Sequence, residues 1–310
     1  MDDKLINKEV MEKVGKKFYG HQKLISKYDP QILPAASERA YNSLVNSYMG
    51  ILREELMKEL PNLKEAYREE LRKDSADGTR TDSISGILLA VATIFTRVKN
   101  NIVLRVTRFN LEEKLAEIAV LNRKMSANEW ARCIRATLGI DIRKDYYLGD
   151  FYVKELAEWV SENVDLIKTI PEDTLDKMKD IVLQGYQDGM TTTEMAKRIQ
   201  LTYGISKRRA KFIATDQTAK LNGEIQRAQQ LDAGITEYKW STCGDERVRA
   251  SHRALNGKIF SWNDAPLNSD GRKCHPGQDY RCRCIGRPVF NRDTLNIPAK
   301  DDDTKVIIRK

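Results

Sequence analysis

The chain has 310 residues, 41% hydrophobic and 32% charged, a composition that excludes collagenous and disordered chains and leaves room for about two domains. Its net charge of +8 is unevenly placed: residues 1–196 carry −2, residues 197–227 carry +6 and residues 243–290 carry +4. The basic character therefore belongs to the C-terminal third, and five cysteines in this length are too few for a disulfide scaffold.

Taken in chain order, residues 1–233 read almost entirely as helix. Glu, Lys, Leu, Ala and Arg dominate, and Pro30, Pro34, Pro61 and Pro171 are expected at segment edges, where a missing N–H costs least. The pattern predicts helices at about 4–28, 35–60, 62–74, 83–103, 108–122, 127–138, 149–168, 172–188, 192–202 and 206–232. Ser75 to Ser85 reads as an exposed polar loop. No stretch is expected to reach the ~20 apolar residues of a membrane helix. The longest candidate runs from Ile87 to Phe95, and the charged start Met1-Asp2-Asp3-Lys4 lacks the apolar core of a signal peptide.

Two helices carry local start signals. Thr191-Thr192-Thr193-Glu194 has the hydroxyl-to-carboxylate spacing of a capping box. The next helix is expected to start at Ser206 and stop at Gly234, with Ile213, Leu221, Ile225, Ala228 and Leu231 on one stripe and Gln217 as its polar member. That start would put Lys207, Arg208, Arg209 and Lys211 in the first turns, the unfavourable end of the macrodipole unless an anion lies nearby. Residues 192–215 also imitate a helix-turn-helix with its turn at Tyr203-Gly204-Ile205-Ser206. Contact with the DNA backbone without sequence readout is the competing reading, and a solvated basic face the plainest one.

The pattern changes at Gly234. Thr236, Tyr238, Trp240 and Thr242 alternate with Glu237, Lys239 and Ser241, a period-two strand with an aromatic face. Asn256-Gly257 signals a turn before a short β-prone run, Lys258 to Trp262. A third strand is expected around Cys284 to Phe290, with Pro288 suggesting a sheet edge. Residues 291–310 read as a flexible tail. The fold class is mainly α with a small C-terminal α+β module. The domains are a helical N-terminal region over 1–148 and a second domain over 149–290, with helices to 233 and the α+β module over 234–290.

Four cysteines and two of the three histidines fall in that module: Cys243, His252, Cys274, His275, Cys282 and Cys284. A module this small and polar has difficulty sustaining a core, and a structural metal is one remedy. Six candidate ligands exceed the four that zinc takes, and Cys282-Arg283-Cys284 is not a CxxC knuckle, so both thiols reach one ion only through a turn. Thiols without metal, or a disulfide formed after lysis, are the alternatives. Asp245, Arg249 and His252 stand at i, i+4 and i+7, one stripe if Asp245 to Leu255 is helical. They offer either an acid–base or ligand triad, or an Asp245–Arg249 ion pair beside a structural histidine.

The run from Trp240 through Asp245, Arg249, His252, Gly257 and Phe260, then His275-Pro276-Gly277, then Cys282-Arg283-Cys284 and Pro288, closely resembles the Mu F-like minor head protein family of tailed phages and prophages. Ala214-Thr215-Asp216-Gln217-Thr218 and Asn222 resemble the family's preceding helix. The likeness covers about residues 150–290. One branch of that family has a CxxC where this chain has Arg249-Ala250-Ser251-His252. The resemblance implies a non-enzymatic virion component of low copy number, acting in head morphogenesis inside the procapsid and in the host cytoplasm during assembly. Its implied partners are the portal protein, the major capsid or scaffolding protein and non-specific double-stranded DNA, with no membrane. The rival reading is a metal-dependent nuclease or toxin-like effector using Asp245 and His252.

For the metal, the concentration of soft ligands leads us to expect His252, Cys282 and Cys284 to converge on a zinc ion, with Cys243 or His275 as the fourth ligand.

Overall fold

A computed structural model describes residues 8–28, 35–77 and 80–300. Its elements run α1 (Lys8–Lys17), β1 (Lys23–Ile25), α2 (Ala35–Asp77), α3 (Arg80–Thr107), α4 (Leu111–Leu138), α5 (Val153–Gln187), α6 (Thr192–Asp232), β2 (Glu237–Ser241), α7 (Ala250–Arg253), β3 (Ile259–Ser261) and β4 (Ile285–Asn291). The mainly α class with a small C-terminal module holds. The helices are fewer and longer than the sequence breaks suggest. Pro61 lies inside α2 and Pro171 inside α5, not at segment edges. A proline removes one ladder bond, but each of these helices has buried residues on both sides of it, Leu52 and Tyr67 in α2, Ile167 and Leu175 in α5. The polar stretch after Asp74 is helical to Asp77 and again from Arg80, so the expected loop shrinks to residues outside those described.

The described residues form two compact units, each assembled from separated stretches. One contains residues of Ala40–Ala116 and Val160–Ala214 and is wholly helical. Its α3 presents Ile87, Val91, Ile94, Phe95, Val98 and Ile102 at helical spacing to the core, all buried. The same helix corrects the expectation about apolar length: Gly86–Thr107 is 22 residues with a mean hydropathy of 1.5, long and apolar enough to cross a bilayer by composition alone. Only 33% of its apolar window is buried: one stripe faces the core, while Leu88, Leu89, Val103 and Leu104 are exposed.

The helix expected to begin at Ser206 begins at Thr192, and the helix-turn-helix reading falls with it. Gly204 sits within a continuous α6, held on either side of it. Tyr203 Oη donates to the Met49 carbonyl at 3.2 Å, and buried Ser206 pairs with Thr174 at 2.7 Å. The capping box forms as read: Thr191 N donates to Glu194 Oε2 at 3.0 Å and Glu194 N to Thr191 Oγ1 at 3.2 Å.

The other unit contains residues of Met1–Arg39, Glu117–Trp159 and Thr215–Lys310. A domain boundary at 148 falls inside it, because the middle stretch is tied to α6: Asn122 Nδ2 donates to the Thr218 carbonyl, Ser126 Oγ to Asn222 Oδ1 and Trp159 Nε1 to the Gln217 carbonyl. The sheet is antiparallel, ordered β1-β4-β2-β3, with Leu24 opposite Phe290 and Tyr238 opposite both Pro288 and Phe260. Lys23–Ile25 is thus a strand, not part of a helix over 4–28. Tyr19 and Gly20 end α1 with positive φ, and pairing with β4 overrides local propensity. This also makes β4 a central strand, so Pro288 does not mark a sheet edge. The proline is tolerated where β1 runs out, its carbonyl accepting from Ser26 N at 3.1 Å.

The alternation read at 236–242 places Tyr238 and Trp240 on the buried face of β2. Together with Leu255, Trp262, Cys274, Cys282 and Cys284 they form the module's apolar cluster. The C-terminal segment is not a loose tail as far as Lys300. Ile297 and Ala299 are buried, and Arg143 N donates to the Pro298 carbonyl while Lys300 N donates to that of Asp141, both at 2.8 Å. Residues 301–310 lie outside those described. The run Asp301-Asp302-Asp303 masks this short apolar anchor in the sequence.

Candidate functional site

Three separated segments bring the module's cysteines and one histidine together. Trp240 N donates to the Lys258 carbonyl and Gly257 N to that of Trp240, both at 2.8 Å, which closes the loop between β2 and β3. Gly257 has φ +82°, the left-handed conformation that a glycine adopts without strain. That loop carries α7, only four residues long, and His252 within it is buried. A helix from Asp245 to Leu255 does not form.

His252 points between two thiols. Its Nδ1 lies 3.5 Å from Cys282 Sγ and 3.6 Å from Cys284 Sγ, and its Nε2 donates to Asp279 Oδ2 at 3.1 Å. The Trp240 ring meets the imidazole edge-on, with centroids 5.4 Å apart. Cys282 and Cys284 both reach the imidazole because they precede β4, in irregular backbone just after a turn in which Arg281 has φ +49°. The requirement for a turn at Cys-Arg-Cys is therefore met. Asp216 of α6 stabilises that turn, its Oδ1 accepting from Arg281 N at 2.7 Å. Cys282 Sγ accepts N–H bonds from Gly277 and Cys284, each at 3.4 Å.

Cys274 and Asp279 are the site residues that the sequence reading did not choose. Three buried side chains, His252, Cys274 and Asp279, form one group with ligand spacing, and His252, Cys282 and Cys284 form another. Asp279 is buried and is also approached by Arg272 at 3.2 Å and Arg249 at 3.4 Å. The only signal for Cys274 was its adjacency to His275, and the reading favoured the histidine.

The two candidates for a fourth ligand lie elsewhere. His275 Nδ1 pairs with Tyr238 Oη at 3.0 Å, and burial pushes its imidazole down to about 4, so it is neutral. Cys243 is half-buried and donates to Asp245 Oδ1 at 3.4 Å. Asp245 pairs not with Arg249 but with Arg283, both of its oxygens 2.7 Å from Nη2. Arg249 instead reaches the Tyr280 carbonyl at 2.7 Å. The stripe failed because α7 is too short to carry residue 245. Asp245 and His252 are thereby committed to different partners, and no acid–base pair is assembled from them.

The electrostatics favour an anionic sulfur at Cys282. The sulfurs of Cys274 and Cys282 beside it push the His252 imidazole up to about 10. Cys282 is pushed down by the Cys284 thiol and, against the cost of burial, by His252, while Cys284 is pushed up by Cys282. Arg283 holds the Asp245 carboxyl below its usual range.

Pro276-Gly277, singled out in the sequence, packs on α6. A Cβ on Gly223 would come within 3.1 Å of the Pro276 carbonyl oxygen. The basic residues Lys207, Arg208, Arg209 and Lys211 are exposed in mid-helix, not in first turns, and Arg209 pairs with Asp173 at 2.9 Å. Mid-helix, these charges do not face the macrodipole's positive end.

A long-helix protein with a small sheet module organised around buried cysteines and a histidine is the class defined by this geometry. Residues 176–286 match the family model described as Phage Mu protein F like protein, the family that the motif run resembles. That match supports a head morphogenesis protein, as the motif resemblance implied. A relative from Haemophilus influenzae (strain ATCC 51907 / DSM 11121 / KW20 / Rd), itself described as an uncharacterized protein, is 38% identical over 155 residues. Those residues are 50% of this chain and 34% of the relative, so the chain spans about a third of that protein's length. No solved structure matches the chain.

Proposed function

We propose that the chain is a non-enzymatic minor head protein, built into the phage head at low copy number, inside the procapsid beside the portal. The observation that carries this is the family match over residues 176–286, which takes in α6, β2, α7, β3 and the segment from Cys274 to Cys284. Its partners in this reading are the portal protein and the major capsid or scaffolding protein, met in the host cytoplasm during assembly. Exposed Lys207, Arg208 and Lys211 supply phosphate contacts to packaged double-stranded DNA, independent of sequence. The burial of His252 and its engagement by Asp279 support a structural role over a nuclease one, since a catalytic histidine must reach its substrate. Co-expression with the portal protein of the same phage tests the assignment. Recovery of a portal complex in size-exclusion chromatography is expected, and two separately eluting proteins would count against it.

A further inference from the structure

The distances around His252 fit tetrahedral metal coordination as well as a hydrogen-bonded thiol cluster. Tetrahedral zinc with Zn–N of about 2.0–2.1 Å and Zn–S of about 2.3 Å sets each nitrogen about 3.6 Å from each sulfur. His252 Nδ1 stands 3.5 Å and 3.6 Å from the sulfurs of Cys282 and Cys284. Its other nitrogen, Nε2, carries the proton and donates it to Asp279 at 3.1 Å. That bond leaves Nδ1 facing the thiols as the nitrogen that sheds its proton when an ion binds, with the carboxylate behind the ring as is common for metal-bound histidines. Asp279 is an unsuitable ligand itself, because the same Oδ2 already serves His252, Arg249 and Arg272.

We propose that the chain binds one zinc ion through His252 Nδ1 and the thiolates of Cys282 and Cys284, with Cys274 as the fourth ligand and Asp279 as the positioning residue behind His252. Cys274 is chosen over Cys243 and His275 on placement. It is buried in the same apolar cluster as Cys282 and Cys284 and has ligand spacing to His252, whereas the other two are bonded to Asp245 and Tyr238. Three thiolates and an imidazole select zinc over magnesium or calcium, which take oxygen ligands. The N–H groups of Gly277 and Cys284 aimed at Cys282 Sγ suit a metal-bound thiolate, which keeps its charge and needs donors. Each thiol that coordinates releases its proton to solvent, so the closed site carries three thiolates against the dication. The ion would tie α7, the loop carrying Cys274 and the entry to β4. None of these segments lies within a sheet strand, and the inference stands independently of any role in a phage head.

The test is elemental analysis of the full chain purified without chelator or affinity tag, with cobalt substitution as a second measurement. One zinc per chain is expected for the wild type and for Cys243→Ser. The cobalt form of the wild type should show the visible bands of a tetrahedral thiolate site, and Cys274→Ser should lower its thiolate-to-cobalt charge-transfer band by about one third, as three thiolates become two. Less than about 0.2 zinc per chain, against the single ion of a closed four-ligand site, would overturn the proposal, as would octahedral cobalt bands in the folded wild type. An unchanged charge-transfer band in Cys274→Ser would overturn the assignment of Cys274.

Discussion

Gly277 lies backbone to backbone against Gly223 of α6, so close that a Cβ on Gly277 would stand 3.2 Å from Gly223 Cα. Gly277 also has φ +90°, and its N–H is one of the two donors to Cys282 Sγ. One residue therefore joins the long helix to the cysteine cluster. Gly277→Ala should destabilise the unit that holds the module by about 1–3 kcal/mol, through strain at positive φ and crowding against α6. Gly223→Ala, at an ordinary helical position, should cost about 1 kcal/mol from crowding alone. Chemical denaturation of the two variants checks both the size and the order.

Gly286 is a second position where the packing excludes a side chain. Its Cβ would come within 2.7 Å of the Trp262 ring and 3.1 Å of Tyr238. Gln230 of α6 donates to the Gly286 carbonyl at 2.7 Å and accepts from Trp262 Nε1 at 2.9 Å, so the Trp262 ring cannot give way freely. Gly286→Ala should cost about 1–3 kcal/mol, with a loss of near-ultraviolet circular dichroism from the displaced tryptophan.

The capping box gives a pH dependence with a definite sign. The Thr191 backbone N–H and then its hydroxyl hold the Glu194 carboxyl below its usual range. A carboxyl lowered in the folded state contributes stability above its unfolded pKa, about 4.3, and that contribution is lost as pH falls through the folded value. Wild type should therefore melt above Glu194→Gln at neutral pH, and the difference should shrink below pH of about 4. A difference that persisted unchanged into acid would mean that the carboxylate is not the capping species.

DNA contact by α6 has a salt signature. Each phosphate contact contributes a slope of about −0.9 to the dependence of log K on log salt. Replacing exposed Lys207, Arg208 and Lys211 together by Ala should reduce the slope by about 2–3. Fluorescence titration with two unrelated duplexes should give equal affinities for both.

The alternation at Tyr238 and Trp240 and the capping box at Thr191 were legible because local pattern and tertiary structure agree there. The convergence of His252, Cys282 and Cys284 was legible as chemistry, from ligand type and a resemblance, while the choice among the remaining ligands was not. Nothing local distinguishes Cys274 from its neighbour His275; β2 and Trp262 settle it by claiming the histidine through Tyr238 and ring contact. Strand β1 was read as helix because Lys23-Leu24-Ile25 has no partner until β4 arrives more than 250 residues later. Polar breaks at Gly204 and Ser75 were over-read, since long-range packing sustains helices through residues that local propensity would end.

The proposed place of the chain in the phage head is open to direct measurement. Quantitative mass spectrometry of purified procapsids and virions from a phage encoding it, normalised to the portal protein, tests this most directly. The chain is expected in procapsids at a low, reproducible ratio to portal and far below the major capsid protein. Its absence from both particles, with the protein present in the same lysate, would contradict it.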